Sequence, residues 1–200
     1  MRHAVIPVVI IAIVASATLA QMPRPLVLQV EQVPLAWGDG RLADMLTISL
    51  SRDPELRVIV PEKQAGLYRA FPADRTNLDS LLAWGVEIGG RYLLAVYVSH
   101  EGLECRKTFC VPLLFQRWET LAVISGEMRL VDLQKRRVML AEPFEEKISA
   151  ARQFQGSTDD NSNDPDLHVS AGEKQELFES LESRLCDRLI KRIGRLTRGY

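Results

Sequence analysis

The sequence predicts an α/β (α+β) fold: a mixed β-sheet whose first half runs β-α-β-α-β, then a long antiparallel hairpin and a C-terminal amphipathic helix packed on the sheet. Three observations predict it. Short apolar runs alternate with segments of helical period through residues 26–99, as in strands joined by helices. Residues 115–148 hold two long apolar, β-branched stretches around the charged DLQKRR, which reads as strand, turn, strand. Residues 170–198 carry apolar side chains at helical spacing behind an S-x-x-E start.

In chain order, MRHAVIPVVIIAIVASATLA at residues 1–20 joins a basic tip at Arg2 and His3 to an apolar run over Val5–Val14 and a cleavage site at Thr18-Leu19-Ala20. It reads as a signal peptide cut after Ala20, which sends the remainder to the periplasm or another exported, oxidising compartment. The alternative is an inner-membrane anchor, since residues 4–20 approach the roughly 17 needed to span a bilayer. Residues 21–200 have the length of one domain with a single core. The chain's net charge of -1 becomes -2 when Arg2 leaves with the leader, and such a balance excludes broad electrostatic capture of nucleic acid.

Leu26–Val33 reads as a strand edged by prolines. A helix follows from Asp39 or Gly40, with Leu42, Met45, Leu46, Ser49 and Leu50 inward, and Asp53-Pro54 ends it. Leu56–Val60 is a short buried strand. Asn77 caps a second helix whose apolar face is Leu78, Leu81, Leu82 and Val86, closed by Gly89-Gly90. Arg91–Ser99 is the third strand. Phe115–Asp132 and Val138–Ile148 form the antiparallel hairpin about a turn at 132–137; neither parity of the first is cleanly polar, as in a central strand. Residues 155–168, QGSTDDNSNDPDLH, have the composition of a solvated loop. In the last helix Ser170 and Glu173 make a capping box, and Leu177, Phe178, Leu181, Leu185, Leu189 and Ile193 form a stripe joined by Cys186 and Ile190. Gly194 is the expected terminator.

The strings LVLQVEQVP, GRLADMLTISLSRDPELRVIV, GVEIGGRYLLAVYV and FQRWETLAVISGEMRLVDLQKRRVMLAE, with their order, resemble the periplasmic domains shared by curli-secretion pore proteins, peptidoglycan-synthase activator lipoproteins and the TolB N-terminal domain. The resemblance covers roughly residues 26–195 and is one of architecture. It implies an assembly, docking or regulatory module. Two departures bear on it: the length leaves little chain for barrel-forming hairpins, and Gln21 stands where a lipoprotein carries its lipidated cysteine.

The expected function is therefore a non-catalytic periplasmic interaction or assembly domain that docks on or regulates a cell-envelope complex. The alternative is a soluble periplasmic protein binding a small ligand. No enzyme is expected: the sequence has no Gly-rich phosphate loop, HExxH, GxSxG or CxxC. Asp39 with Asp44 and Asp132 with Glu142 are carboxylate pairs that folding could bring together, and solvated turns explain them equally well. His100 and His168 have no local nucleophile or orienting partner. No cofactor or metal is expected, although His100, Cys105 and Cys110 offer three ligands without a fourth. In an exported compartment Cys105 and Cys110 suit a disulfide if the chain bends at Arg106-Lys107; on one regular strand they point apart. Cys186 reads as a buried apolar residue. Leu114, Phe115 and Trp118 are candidate partner anchors, with packing under the last helix as the alternative. Lys191, Arg192, Arg195 and Arg198 are candidates for peripheral contact with an acidic surface, although cations near a helix C-terminus also serve its dipole.

Overall fold

Alternating burial on the strands divides the fold into layers. The computed structural model describes residues 23–32, 41–61, 70–111, 115–156 and 169–198. Its elements are β1 (Arg24–Gln32), α1 (Leu42–Ser51), β2 (Leu56–Ile59), α2 (Leu78–Glu87), β3 (Tyr92–Val111), β4 (Phe115–Asp132), β5 (Arg137–Gly156) and α3 (Ala171–Arg198). They build a five-stranded sheet of order β2-β1-β3-β4-β5. β1 is parallel to β2 and β3, whereas β3, β4 and β5 are antiparallel in sequence. The mixed sheet, its β-α-β-α-β half and the helix on it are as the sequence predicts.

Even-numbered residues of β1, β3 and β4, including Leu28, Leu94 and Met128, form one core with Leu42, Leu46 and Leu50 of α1 and Leu181, Leu185 and Leu189 of α3. Odd-numbered Val27, Leu93 and Val131 turn to the other face and pack with Leu81, Leu82 and Trp84 of α2. The central strands are thus covered on both sides, which explains why β4 has no polar parity. Local signals hold at the helix ends. The Asn77 side chain accepts from Ser80 N at 3.2 Å. Glu173 accepts from Ser170 N at 2.8 Å, while Ser170 Oγ accepts from Glu173 N at 3.3 Å, closing the capping box. Gly89 has φ 83, the left-handed conformation that ends α2 at small cost.

Three boundaries differ. β3 continues past Ser99 to Val111, and β5 past Ile148 to Gly156, because the eighteen-residue β4 between them offers each a continuous ladder. α3 passes through Gly194 to Arg198: a helical glycine costs only about 1 kcal/mol relative to alanine, and Ile193 and Leu196 on either side pack on the core. The leader, the start of the first helix at Asp39 or Gly40, and residues 157–168 of the expected loop lie outside the described residues. Among the described residues, no helix is long and apolar enough to cross a membrane.

Candidate functional site

Among the described residues, the sheet narrows to a three-stranded ribbon beyond Val98, where β3 leaves β1. A bulge between Val98 and His100 marks the departure, and another between Lys107 and Phe109 lies near the far end. Eleven further ladder pairs run from His100–Ser125 to Val111–Phe115 with one skip, a reach on the order of 35 Å at the rise of a strand. Phe115 closes the far end opposite Val111 and Gly156, and Trp118 lies opposite Lys107 and Gln153. Leu114, in the β3–β4 connection, and the side chains of Phe115 and Trp118 lie outside the described residues.

Cys105 and Cys110 both lie on β3, opposite Thr120 and Gln116. Their side chains are likewise outside the described ones. The bulge between Lys107 and Phe109 brings both positions to one parity, yet it leaves them four β4 positions apart. That is on the order of 13 Å, against the roughly 7 Å limit of a disulfide. The expected bond calls for a departure from this ladder. Cys186, by contrast, is buried on α3 as the sequence predicts, with Sγ 3.9 Å from Ser49 Oγ. Burial raises its thiol pKa, the first cause of a shift that Asp187 and Glu182 reinforce and Ser49 opposes.

The root of the ribbon holds a polar knot that sequence reasoning missed. Gln32 Nε2 at the end of β1 donates to Glu101 Oε2 on β3 at 2.7 Å and to Glu182 Oε1 on α3 at 3.0 Å. Glu182 also accepts from Leu42 N, the first turn of α1, at 3.3 Å. One buried side chain of the last helix therefore ties β1 to the start of α1. Its signal was present: Glu182 interrupts the apolar stripe at four residues from Phe178 and four from Cys186.

Burial pushes the Glu101 pKa up to about 7; the Gln32 hydrogen bond opposes this, and the Glu182 charge adds to it. Folding thus raises this acid's pKa above its ordinary value of 4.5, so between those limits the native state binds more protons than the unfolded chain. The associated stability is present below about pH 4.5 and is lost as pH rises through about 7. Glu101→Gln is expected to stabilise the fold at pH 8 by about 1–2 kcal/mol, after discounting for the side chain's partial exposure. Urea unfolding at pH 5 and pH 8 checks this: the variant's advantage shrinks at the lower pH, and an equal advantage at both refutes the assignment.

On the α2 face, residues 71–76 and the sheet border a half-open hollow of ≈ 310 Å³. Arg75 ion-pairs with Glu31 and stacks over Tyr97, its guanidinium carbon 3.9 Å from the ring centre. Arg129 holds Glu127 at 2.6 Å and donates to Arg75 O at 2.9 Å. The charges lining the hollow largely satisfy one another and fix the bordering segment.

Asp132 and Glu142 do not converge. Asp132 caps the β4–β5 turn by accepting from Lys135 N at 2.9 Å, while Glu142 lies opposite Met128 and pairs with Arg192 at 3.1 Å. His100 is exposed, 3.8 Å from Glu104. Asp39 and His168 fall outside the described residues, among which no group of three metal-ligating side chains occurs. On α3, Lys191, Arg192 and Arg195 are exposed; the Arg198 side chain is outside the described ones.

No family model matches the chain, and no curated protein does. A solved structure shares its fold, and others resemble it less closely. The hypothetical protein CT253 from Chlamydia trachomatis superposes with a TM-score of 0.52 at 12% identity, covering 90% of this chain and 100% of that one. Protein XCC0632 from Xanthomonas campestris gives 0.46 at 13% identity over 90% and 87%. TolB from Acinetobacter baumannii gives 0.35 at 13% identity, over 62% of this chain and 23% of TolB. At these identities the likeness is one of fold alone, and the two lower scores carry no argument.

Proposed function

We propose that the protein is an exported, non-catalytic interaction module that docks on an envelope protein or complex and assists its assembly or regulation. The ribbon is the observation that carries this reading: three strands continue past β1 and β2. A reach of this length presents chain to a partner and builds no enclosed reaction site. Leu114, Phe115 and Trp118 are the proposed anchors at its end, since aromatic side chains concentrate binding energy. Crosslinking in the envelope followed by capture of the tagged chain tests the class of function: repeated recovery of one assembly component supports docking. Trp118→Ala tests the anchor. It is expected to weaken binding by about 2 kcal/mol with the circular dichroism spectrum intact, whereas parallel loss of binding and fold assigns Trp118 to packing.

The hollow beside Tyr97 favours the second reading, a small-ligand-binding protein, because its volume of ≈ 310 Å³ lies at the lower end of ligand pockets. A small molecule recovered reproducibly with the purified monomer, and displaced by Tyr97→Ala, would favour it over docking.

A further inference from the structure

The inner end of the sheet, opposite the ribbon, gathers cations from elements far apart in sequence. β1 and β2 begin there, Arg24 facing Leu56 and Pro25 facing Arg57. The β4–β5 turn also lies there, because Tyr92 at the start of β3 faces both Leu26 and Asp132; the turn exposes Lys135, Arg136 and Arg137. α1 ends at exposed Arg52. The last turns of α3 bring exposed Lys191 and Arg195 beside Leu50, Asp53 and Leu56. Carboxylates are fewer among the described residues of this pole. Asp53 and Glu55 sit between α1 and β2, and Glu87 ends α2; Asp132 is turned into its own turn, and Asp79 meets Arg136 at 3.3 Å. A chain of net charge -1 thus has a basic pole.

The apolar segment precedes β1 in sequence, and β1 begins at this pole. Residues 4–20 end four residues before Arg24, so with that segment in a bilayer Arg24 lies within about 14 Å of it. A surface potential acts over a Debye length of about 8 Å at physiological salt, so Arg24 comes within its range when the four-residue link is less than fully extended.

We propose that the basic pole docks on an anionic phospholipid surface, the surface of the bilayer that residues 4–20 enter, and so sets the ribbon pointing away from the membrane. The proposal rests on the alternative reading of residues 4–20, a retained membrane anchor rather than a cleaved leader, and is independent of any partner at the ribbon end. Arg24 and Arg57 come from strand starts, Arg52, Lys191 and Arg195 from helix ends, and Arg136 from a turn, so the footprint exists only in the folded chain.

The test uses the full chain in vesicles of phosphatidylcholine alone or of equal parts phosphatidylcholine and phosphatidylglycerol, with a water-soluble amine reagent as probe. Labelling of Lys135 and Lys191 is expected to slow about threefold or more in the anionic vesicles at low salt, and to recover in high salt. Lys147, on β5 opposite Val123, is expected to label equally in both. The combined variant Arg52→Glu, Arg57→Glu, Arg195→Glu retains both reporter lysines and is expected to lose the protection while still floating with the vesicles. Equal labelling in the two lipids, protection that survives high salt, or slowing at Lys147 instead overturns the proposal. Failure of the native chain to float with either vesicle overturns the membrane-entering reading beneath it. If the combined variant loses its circular dichroism spectrum, the native chain's lipid and salt dependence decides.

Discussion

Replacing Gly126 by alanine is expected to destabilise the fold by about 3 kcal/mol or more and to lower Tm by roughly 6–12 °C. Gly126 stands on β4 between Val98 of β3 and Phe144 of β5, at the position where the five-stranded sheet becomes the ribbon. A Cβ there would lie 2.0 Å from the Tyr97 carbonyl oxygen and 2.7 Å from Phe144 Cζ. The Phe144 ring can rotate aside at the expense of its packing, but the carbonyl belongs to a paired strand and moves only with the ladder. The requirement is therefore for space, since Gly126 is not among the residues of positive φ. Gly194 in α3 is the control: its Cβ would meet nothing within 4 Å, and Gly194→Ala is expected to stabilise by about 0.5–1 kcal/mol. Thermal melts of both variants check the pair. A Gly126→Ala melt within a degree or two of the native one, on the scale of about 1 kcal/mol or less, would mean that the strands at the ribbon root are not held in this register.

What was legible in the sequence was what is decided locally. Asn77 and the Ser170/Glu173 box mark helix starts because the bonds that cap a helix span three residues. β4 is bounded as expected because its strand-forming run continues from Phe115 to the charged DLQKRR turn. The outer half of β3 was not legible. HEGLECRKTFC is polar enough to read as an excursion, and its strand state comes from β4, whose residues follow it in the chain and pair with it rung by rung. The knot at Gln32, Glu101 and Glu182 joins residues 69 and 150 positions apart, so no window of sequence contains it; only the acid within the α3 stripe hinted at one member. Arg75 over Tyr97 is illegible for the same reason. Such non-local polar contacts fix how α3, α1 and the ribbon root sit together, while the apolar stripes decide that they pack at all.

The strength of that packing is expected to appear most clearly at Leu185, where substitution by alanine should cost about 3–4 kcal/mol. Leu185 is fully buried at the middle of α3, in the core that includes Leu46 of α1 and Leu94 and Met128 of the sheet. Truncation removes apolar contact and leaves a cavity among side chains held by two layers, so little collapse can repair it. The polar side of the same helix should behave differently. Arg192 reaches Glu142 at 3.1 Å and Arg188 reaches Glu146 at 2.8 Å, but both arginines are nearly half exposed. Exposed pairs contribute about 0–1 kcal/mol and are screened by salt. Arg192→Ala should therefore shift the urea midpoint by less than about a third of the Leu185→Ala effect, and added salt should shrink that shift further. If Arg192→Ala and Leu185→Ala were equally costly, the ion pairs to β5 rather than the apolar stripe would be holding the helix, and the basic pole at its end would not be free to exchange its partners for an anionic surface.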